Sequence, residues 1–170
     1  EQKLVVLPRE KPVADATAQF EKWQSTRTDG SLVILGDKGQ GKTTLLGMIR
    51  DALGDVPVVE HIVRRKVITV QGLVDDLAPS FGLTSGSVDL EGLIQHCLEG
   101  PERVVLMDEA HNVFLRAIGG FKAFDALVKL VNATSDKVFW ALVFNRYSWT
   151  FINQPRKRVH YFRRLLQVPS

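Results

Sequence analysis

Two stretches of the chain carry residue types in spacings that do chemistry. The first is Gly36-Asp37-Lys38-Gly39-Gln40-Gly41-Lys42-Thr43-Thr44. It has the form G-x-x-x-x-G-K-T, with Gly36, Gly41, Lys42 and Thr43 at the fixed places. Glycines let the backbone turn tightly, so that successive N–H groups point inward. A helix opening behind the loop adds the positive end of its dipole. Loop and helix together make a cradle for a polyphosphate. Lys42 is expected to reach the β- and γ-phosphates, and the Thr43 hydroxyl to ligate Mg²⁺. A glycine loop of this form also arises by chance. The context that argues against chance is a strand before it and a helix after it. Leu32-Val33-Ile34-Leu35 and Leu45-Leu46-Gly47-Met48-Ile49 provide that context.

The second stretch is Val104-Val105-Leu106-Met107-Asp108-Glu109, four apolar residues and then two carboxylates. At a strand tip beside the phosphate loop, Asp108 would hold Mg²⁺ through water. Glu109 is placed to polarise the attacking water as general base. Without the loop upstream, the same pair reads as two surface carboxylates.

Strands and helices that could position these groups alternate along the chain. Residues 1–12, with Pro8 and Pro12, read as an extended leading segment ahead of one domain over 13–170. A helix is expected over 13–26, with Ala14, Ala18, Phe20 and Trp23 on its apolar side. Strands are expected over 31–35, 56–63, 103–107, 137–144 and 159–167. The second is interrupted by Glu60-His61, and the third is buried on both faces by its unbroken apolar character. Helices are expected over 43–53, 70–81, 89–98 and 121–132, and a short one over 147–153. Thr69 caps the second of these, Asp89 opens the third, and Gly119-Gly120 breaks the chain before the fourth. Such alternation implies parallel strands, right-handed crossovers and helices on both faces of the sheet. Ligands bind such sheets at the carboxyl ends of the strands. The glycine loop, Asp108-Glu109 and Asn145 all fall at such ends.

At 170 residues, with 45% apolar and 24% charged residues, the composition is that of one globular domain. No apolar run approaches ~18 residues, so no membrane-spanning helix is expected within it. The chain starts at Glu1 with no signal-like segment, and the expectation is a domain cut from a longer protein. Cys97 is the only cysteine, so it has no internal disulfide partner, and a reducing, cytoplasmic setting fits. His61, His96 and His160 share no metal-ligand spacing with one another or with Cys97, so no metal beyond Mg²⁺ is expected. The charge is uneven. From residue 146 onward there are six Lys/Arg and no Asp or Glu, whereas residues 1–145 set the other 16 of the 22 Lys/Arg against all 19 Asp/Glu. A second basic run, Arg64-Arg65-Lys66, reads as a solvated strand end or loop.

The stretch Val105-Leu106-Met107-Asp108-Glu109-Ala110-His111-Asn112, taken with the loop at Gly36, resembles the nucleotide motifs (Walker B and Walker A) of AAA+ ATPases. The likeness is greatest to the branch holding transposition-helper, secretion-associated and origin-recognition ATPases. It runs from about Ala14 to Ser170. It implies an α/β P-loop NTPase fold, a three-layer sandwich with a five-stranded, mostly parallel sheet. It also implies that Asn145, ending the fourth strand, orients the water. An arginine before the fifth strand should reach a neighbouring subunit's γ-phosphate. Arg158 matches that position, with Arg156 close behind, and a plain basic patch is the competing account. The family's helical lid should begin where the chain reaches Val168-Pro169-Ser170, so a core without its lid is expected. D-E-A-H also occurs in helicases, which need two such domains. His111 reads instead as a polar residue lining the strand end.

The function expected is Mg²⁺-dependent binding and hydrolysis of ATP to ADP, driving conformational change or assembly of a larger protein. Self-association or contact with other domains of the parent is the expected partnership. A nucleotide-gated switch or scaffold with little turnover is one alternative. A DNA-binding ATPase, with nucleic acid on the basic end, is another.

Overall fold

Three apolar runs become the buried centre of a sheet. In a computed structural model of the chain, which describes residues 10–27, 30–35, 42–113, 122–145 and 165–167, they are β1 (Ser31–Leu35), β3 (Arg103–Asp108) and β4 (Val138–Phe144). Every residue of β1 and β4 is buried, and so is every residue of β3 except Asp108 at its end. Strands β2 (Val58–Ile62) and β5 (Leu165–Gln167) complete a five-stranded sheet in the order β2-β3-β4-β1-β5, with every pairing parallel. The fifth strand is expected from 159; residues 159–164 lie outside those described, as do Gly119-Gly120 and the short helix expected at 147–153.

Alternation along the strands sorts their side chains between two layers of helix. Val33, Val105, Met107, Trp140 and Leu142 pack with α3 (Val70–Leu77), α4 (Leu90–Glu99) and α5 (Lys122–Ala133). Leu32, Ile34, Val104, Leu106 and Val143 pack with α1 (Glu10–Thr26) and α2 (Lys42–Ala52). The three-layer sandwich read from the sequence is the fold observed.

Three local expectations need correction. Helix α1 starts at Glu10, so the extended leading segment does not reach 12. Pro12 sits in the first turn, where a missing N–H costs no intrahelical bond. Of the residues expected on its apolar side, Ala18 is exposed; Ala16, Phe20 and Trp23, at helical spacing, face the sheet. The helix expected over 70–81 ends at Leu77 and tightens into a 3₁₀ turn, Ala78–Phe81. Pro79 has no N–H to continue the α-helical ladder, and Gly82 at φ 79° closes the turn. The caps hold as expected. Thr69 Oγ1 accepts from the Gly72 N–H at 2.9 Å and Asp89 Oδ1 from the Gly92 N–H at 2.8 Å.

The polar interruption of β2 has a physical account. Glu60 is exposed and pairs with Arg50 of α2 at 2.9 Å. His61 is buried, with Nδ1 2.8 Å from Ser80 Oγ and Nε2 2.6 Å from Asp76 Oδ2, which ties the edge strand to α3 and the turn after it. Cys97 is fully buried, and burial pushes its thiol up to about 11 against the lowering influence of Arg103. It stays protonated near neutrality and acts as a small apolar residue.

Thr134 seals the junction of α5 and β4. Its hydroxyl donates to Leu130 O at 2.8 Å and accepts from the Trp140 indole N–H at 2.9 Å, and both side chains are fully buried. Thr134→Val keeps the shape and leaves that indole N–H without its acceptor. Urea melts should show a loss of about 1–3 kcal/mol. A loss below about 0.5 kcal/mol would mean the indole finds another partner.

Candidate active site

Parallel pairing brings the carboxyl ends of the strands to one edge of the sheet. Strand β4 lies between β3 and β1, with Leu35 opposite Phe144 and Met107 opposite Leu142. The ends of these three neighbouring strands are therefore level. The glycine loop leaves β1, Asp108 ends β3, and Asn145 follows β4 directly. Residues 36–41 of the loop lie outside those described, and of 42–46 only the helical backbone is described. That backbone starts α2 at Lys42, so Lys42, Thr43 and Thr44 occupy its first turn. Ile49 and Leu53 then hold the helix and the turn after it against the Leu106 face of the sheet. By alternation, Asp108 follows Leu106 and Asn145 follows Val143, both in the row that faces α2.

The turn after β3 is built around Glu109. Its backbone is left-handed, φ 56°, which costs a non-glycine residue roughly 1 kcal/mol or more. Its N–H donates to Asp108 Oδ1 at 2.8 Å, so the strained residue and the strand-tip carboxylate orient each other. The chain then closes into a 3₁₀ turn, Ala110–Val113, with Ala110 and Val113 buried beneath it. Asp108 and Glu109 are each partly exposed. Asp108 offers hard carboxylate oxygens at a strand tip, and Mg²⁺ is held by one or two such groups while keeping several waters. The donor chemistry fits that ion.

Two further residues of this turn have structural roles that the sequence conceals. His111 accepts the Asn145 backbone N–H at Nδ1, 3.3 Å away, and its Nε2 lies 3.5 Å from Glu109 Oε1. It lines the strand end, as the sequence suggests, and it also connects two of the candidate site residues. Asn112 fastens the loop between β2 and α3. Its Nδ2 donates to Val63 O at 2.7 Å and its carbonyl accepts the Val67 N–H at 2.8 Å, while the Val63 N–H donates to Asp108 O at 3.1 Å. Arg64, Arg65 and Lys66 stand exposed between those ties. Neither link follows any local pattern, because the residues joined are 34 and 49 positions apart.

Asp108, Glu109 and Asn145 thus lie at one edge of the sheet, at the ends of β3 and β4. Arg158 and Arg156 lie outside the described residues. No helix among the described residues is long and apolar enough to cross a membrane.

The comparisons with known proteins agree with this fold. A family model described as an AAA domain matches residues 25–149. No curated protein matches the sequence. Among solved structures, the Aeropyrum pernix ORC1 protein in complex with DNA is similar with a TM-score of 0.67 and 17% identity, over 96% of this chain and 46% of that one. Cdc6p from Pyrobaculum aerophilum gives 0.63 and 17%, over 94% and 44%. A Walker-type ATPase of Pyrococcus abyssi gives 0.60 and 16%, over 94% and 53%. At such identities the likeness is one of fold, and the chain spans about half the length of these structures.

Proposed function

Since the chain belongs to the AAA+ P-loop ATPase family, we propose that it binds ATP with Mg²⁺ and hydrolyses it to drive conformational change or assembly of a larger protein. The observation that supports this reading is the grouping of Asp108, Glu109 and Asn145 at the ends of the neighbouring strands β3 and β4, beside the strand that precedes α2. In this reading the 36–44 segment cradles the phosphates and Lys42 neutralises their charge. Thr43 and Asp108 hold the metal ion. Mg²⁺, when bound, would supply positive charge that offsets charge on the phosphates. Glu109 takes a proton from the water that attacks the γ-phosphorus. The bond to the β-phosphate oxygen breaks, and ADP leaves with that electron pair. Asn145 orients the water, and Arg158 of a neighbouring copy stabilises charge on the transferring group.

Phosphate release measured across protein concentrations, with and without Mg²⁺, tests the reading. Turnover should require Mg²⁺ and its specific rate should rise with concentration. Arg158→Ala should bind ATP normally and lose the concentration-dependent part. Turnover that is independent of concentration and equal in the two proteins would leave Arg158 as basic surface. ATP binding with no turnover at any concentration would favour the nucleotide-gated scaffold instead.

A second reading, a DNA-binding ATPase, draws on Arg64, Arg65 and Lys66, exposed side by side, and on the DNA in the similar ORC1 complex. Duplex binding should then weaken steeply with salt, and less steeply once the three cations are Ala. Absent or salt-insensitive binding removes this reading.

A further inference from the structure

The imidazole of His111 stands between the proposed base and the end of β4. Its side chain is 13% exposed. Nδ1 is 3.3 Å from the Asn145 backbone nitrogen and Nε2 is 3.5 Å from Glu109 Oε1. A backbone N–H can only donate, so Nδ1 must carry the lone pair. In a neutral ring the proton then sits on Nε2, and that N–H faces the carboxylate. One end of the ring accepts and the other donates.

The accepting end rests on a rigid support, since all seven residues of β4 are buried. The donating end meets a residue whose backbone is already fixed, because the Glu109 N–H is bound to Asp108 at φ 56°. Asp108 therefore holds the Glu109 main chain, and His111 meets its side chain. The separation of 3.5 Å lies at the outer edge of hydrogen-bond reach, between a neutral donor and a carboxylate.

We infer that His111 is a positioning residue, which sets the Glu109 carboxylate against the end of β4 so that the proton acceptor and Asn145 keep one geometry. The ring touches neither ATP nor the attacking water in this scheme; it acts through Glu109. The kinetic consequence rests on the ATPase reading, whereas the linkage itself does not. Displacing a catalytic group by about 1 Å can cost roughly 100-fold in rate. Loss of the strut should therefore lower kcat by about 10- to 100-fold and leave KM for ATP within about threefold.

The test uses the full chain and three variants. His111→Ala removes both contacts. His111→Asn places an acceptor near the Nδ1 position and has no donor that reaches Glu109. His111→Gln carries an amide N–H near the Nε2 position. The kcat should rank parent, then Gln, then Asn and Ala together, with ATP affinity unchanged throughout. Imidazole ¹⁵N spectra of the parent should show the Nε2–H tautomer, and the Asn145 amide resonance should shift in Ala but hardly in Asn. An Nδ1–H tautomer, an unmoved Asn145 amide in Ala, or a kcat in Ala within about twofold of the parent would each overturn the inference. Equal losses in Gln and Ala would do the same, since they would report a general disturbance. If the parent shows no turnover, the ATPase reading fails by itself, and the tautomer and the Asn145 shift still decide whether the linkage exists. They decide it as well if Ala does not fold, because Asn and Gln retain polar groups in the same space.

Discussion

Glu109→Gln should bind ATP as tightly as the parent and release phosphate about 10²–10⁴-fold more slowly, the usual contribution of a positioned general base. At about 1.36 kcal/mol per tenfold, that is roughly 3–5 kcal/mol of transition-state stabilisation. The substitution isolates the base because little else changes. Gln matches Glu in shape and meets the same cost in the left-handed backbone at φ 56°. The bond to Asp108 comes from the main chain and survives. The amide oxygen can still face His111 Nε2. The negative charge is lost, and with it the capacity to take a proton. Calorimetry for affinity and a phosphate-release assay for turnover check the two halves separately. Hydrolysis at the parental rate would remove Glu109 from the chemistry.

Lys42→Ala should act on the other half of the cycle. Removing one partner of a desolvated charge pair costs about 2–5 kcal/mol, so ATP affinity should fall by roughly 30- to several-thousand-fold. Folding should hardly change. Lys42 opens α2, Ala is a better helix former than Lys, and among the described residues Ile49 and Leu53 further on pack into the core. Calorimetric titration with Mg²⁺ and ATP, beside a urea melt, reads both quantities. Unchanged affinity would show that the loop before α2 holds no phosphate. A large drop in melt midpoint would show that the loss is structural.

What could be read from the sequence was what depends on neighbours along the chain. Unbroken apolar runs marked β1, β3 and β4, because strands covered on both faces need no polar side. Thr69 and Asp89 were legible as caps because a cap acts within three residues. Asp108 and Asn145 stood out as polar groups ending apolar runs. The backbone of Glu109 left no trace, since glutamate has no preference for positive φ and the turn geometry alone demands it. The contact of His111 with Asn145 depends on β3 and β4 lying side by side, which no local pattern states. Pro12 misled because a proline that interrupts a helix also suits its first turn. Glu60-His61 marked a break in an apolar run, but not the pairing of His61 with Asp76 and Ser80.

The ties at Val63 and Val67 make residues 64–66 an arch standing on two fixed feet. Chain length inside such an arch can change at little more than loop-closure cost, about 0.6 kcal/mol for each doubling. The feet hold their place because Asn112 and Asp108 grip main-chain atoms, whatever side chains lie between. Length and side-chain identity at the crown are thereby uncoupled from the register of the carboxylates. This is where a lengthened arch or a grafted label could be carried without re-aiming Glu109. Such a label would still share a footing with it, one hydrogen bond from Asp108.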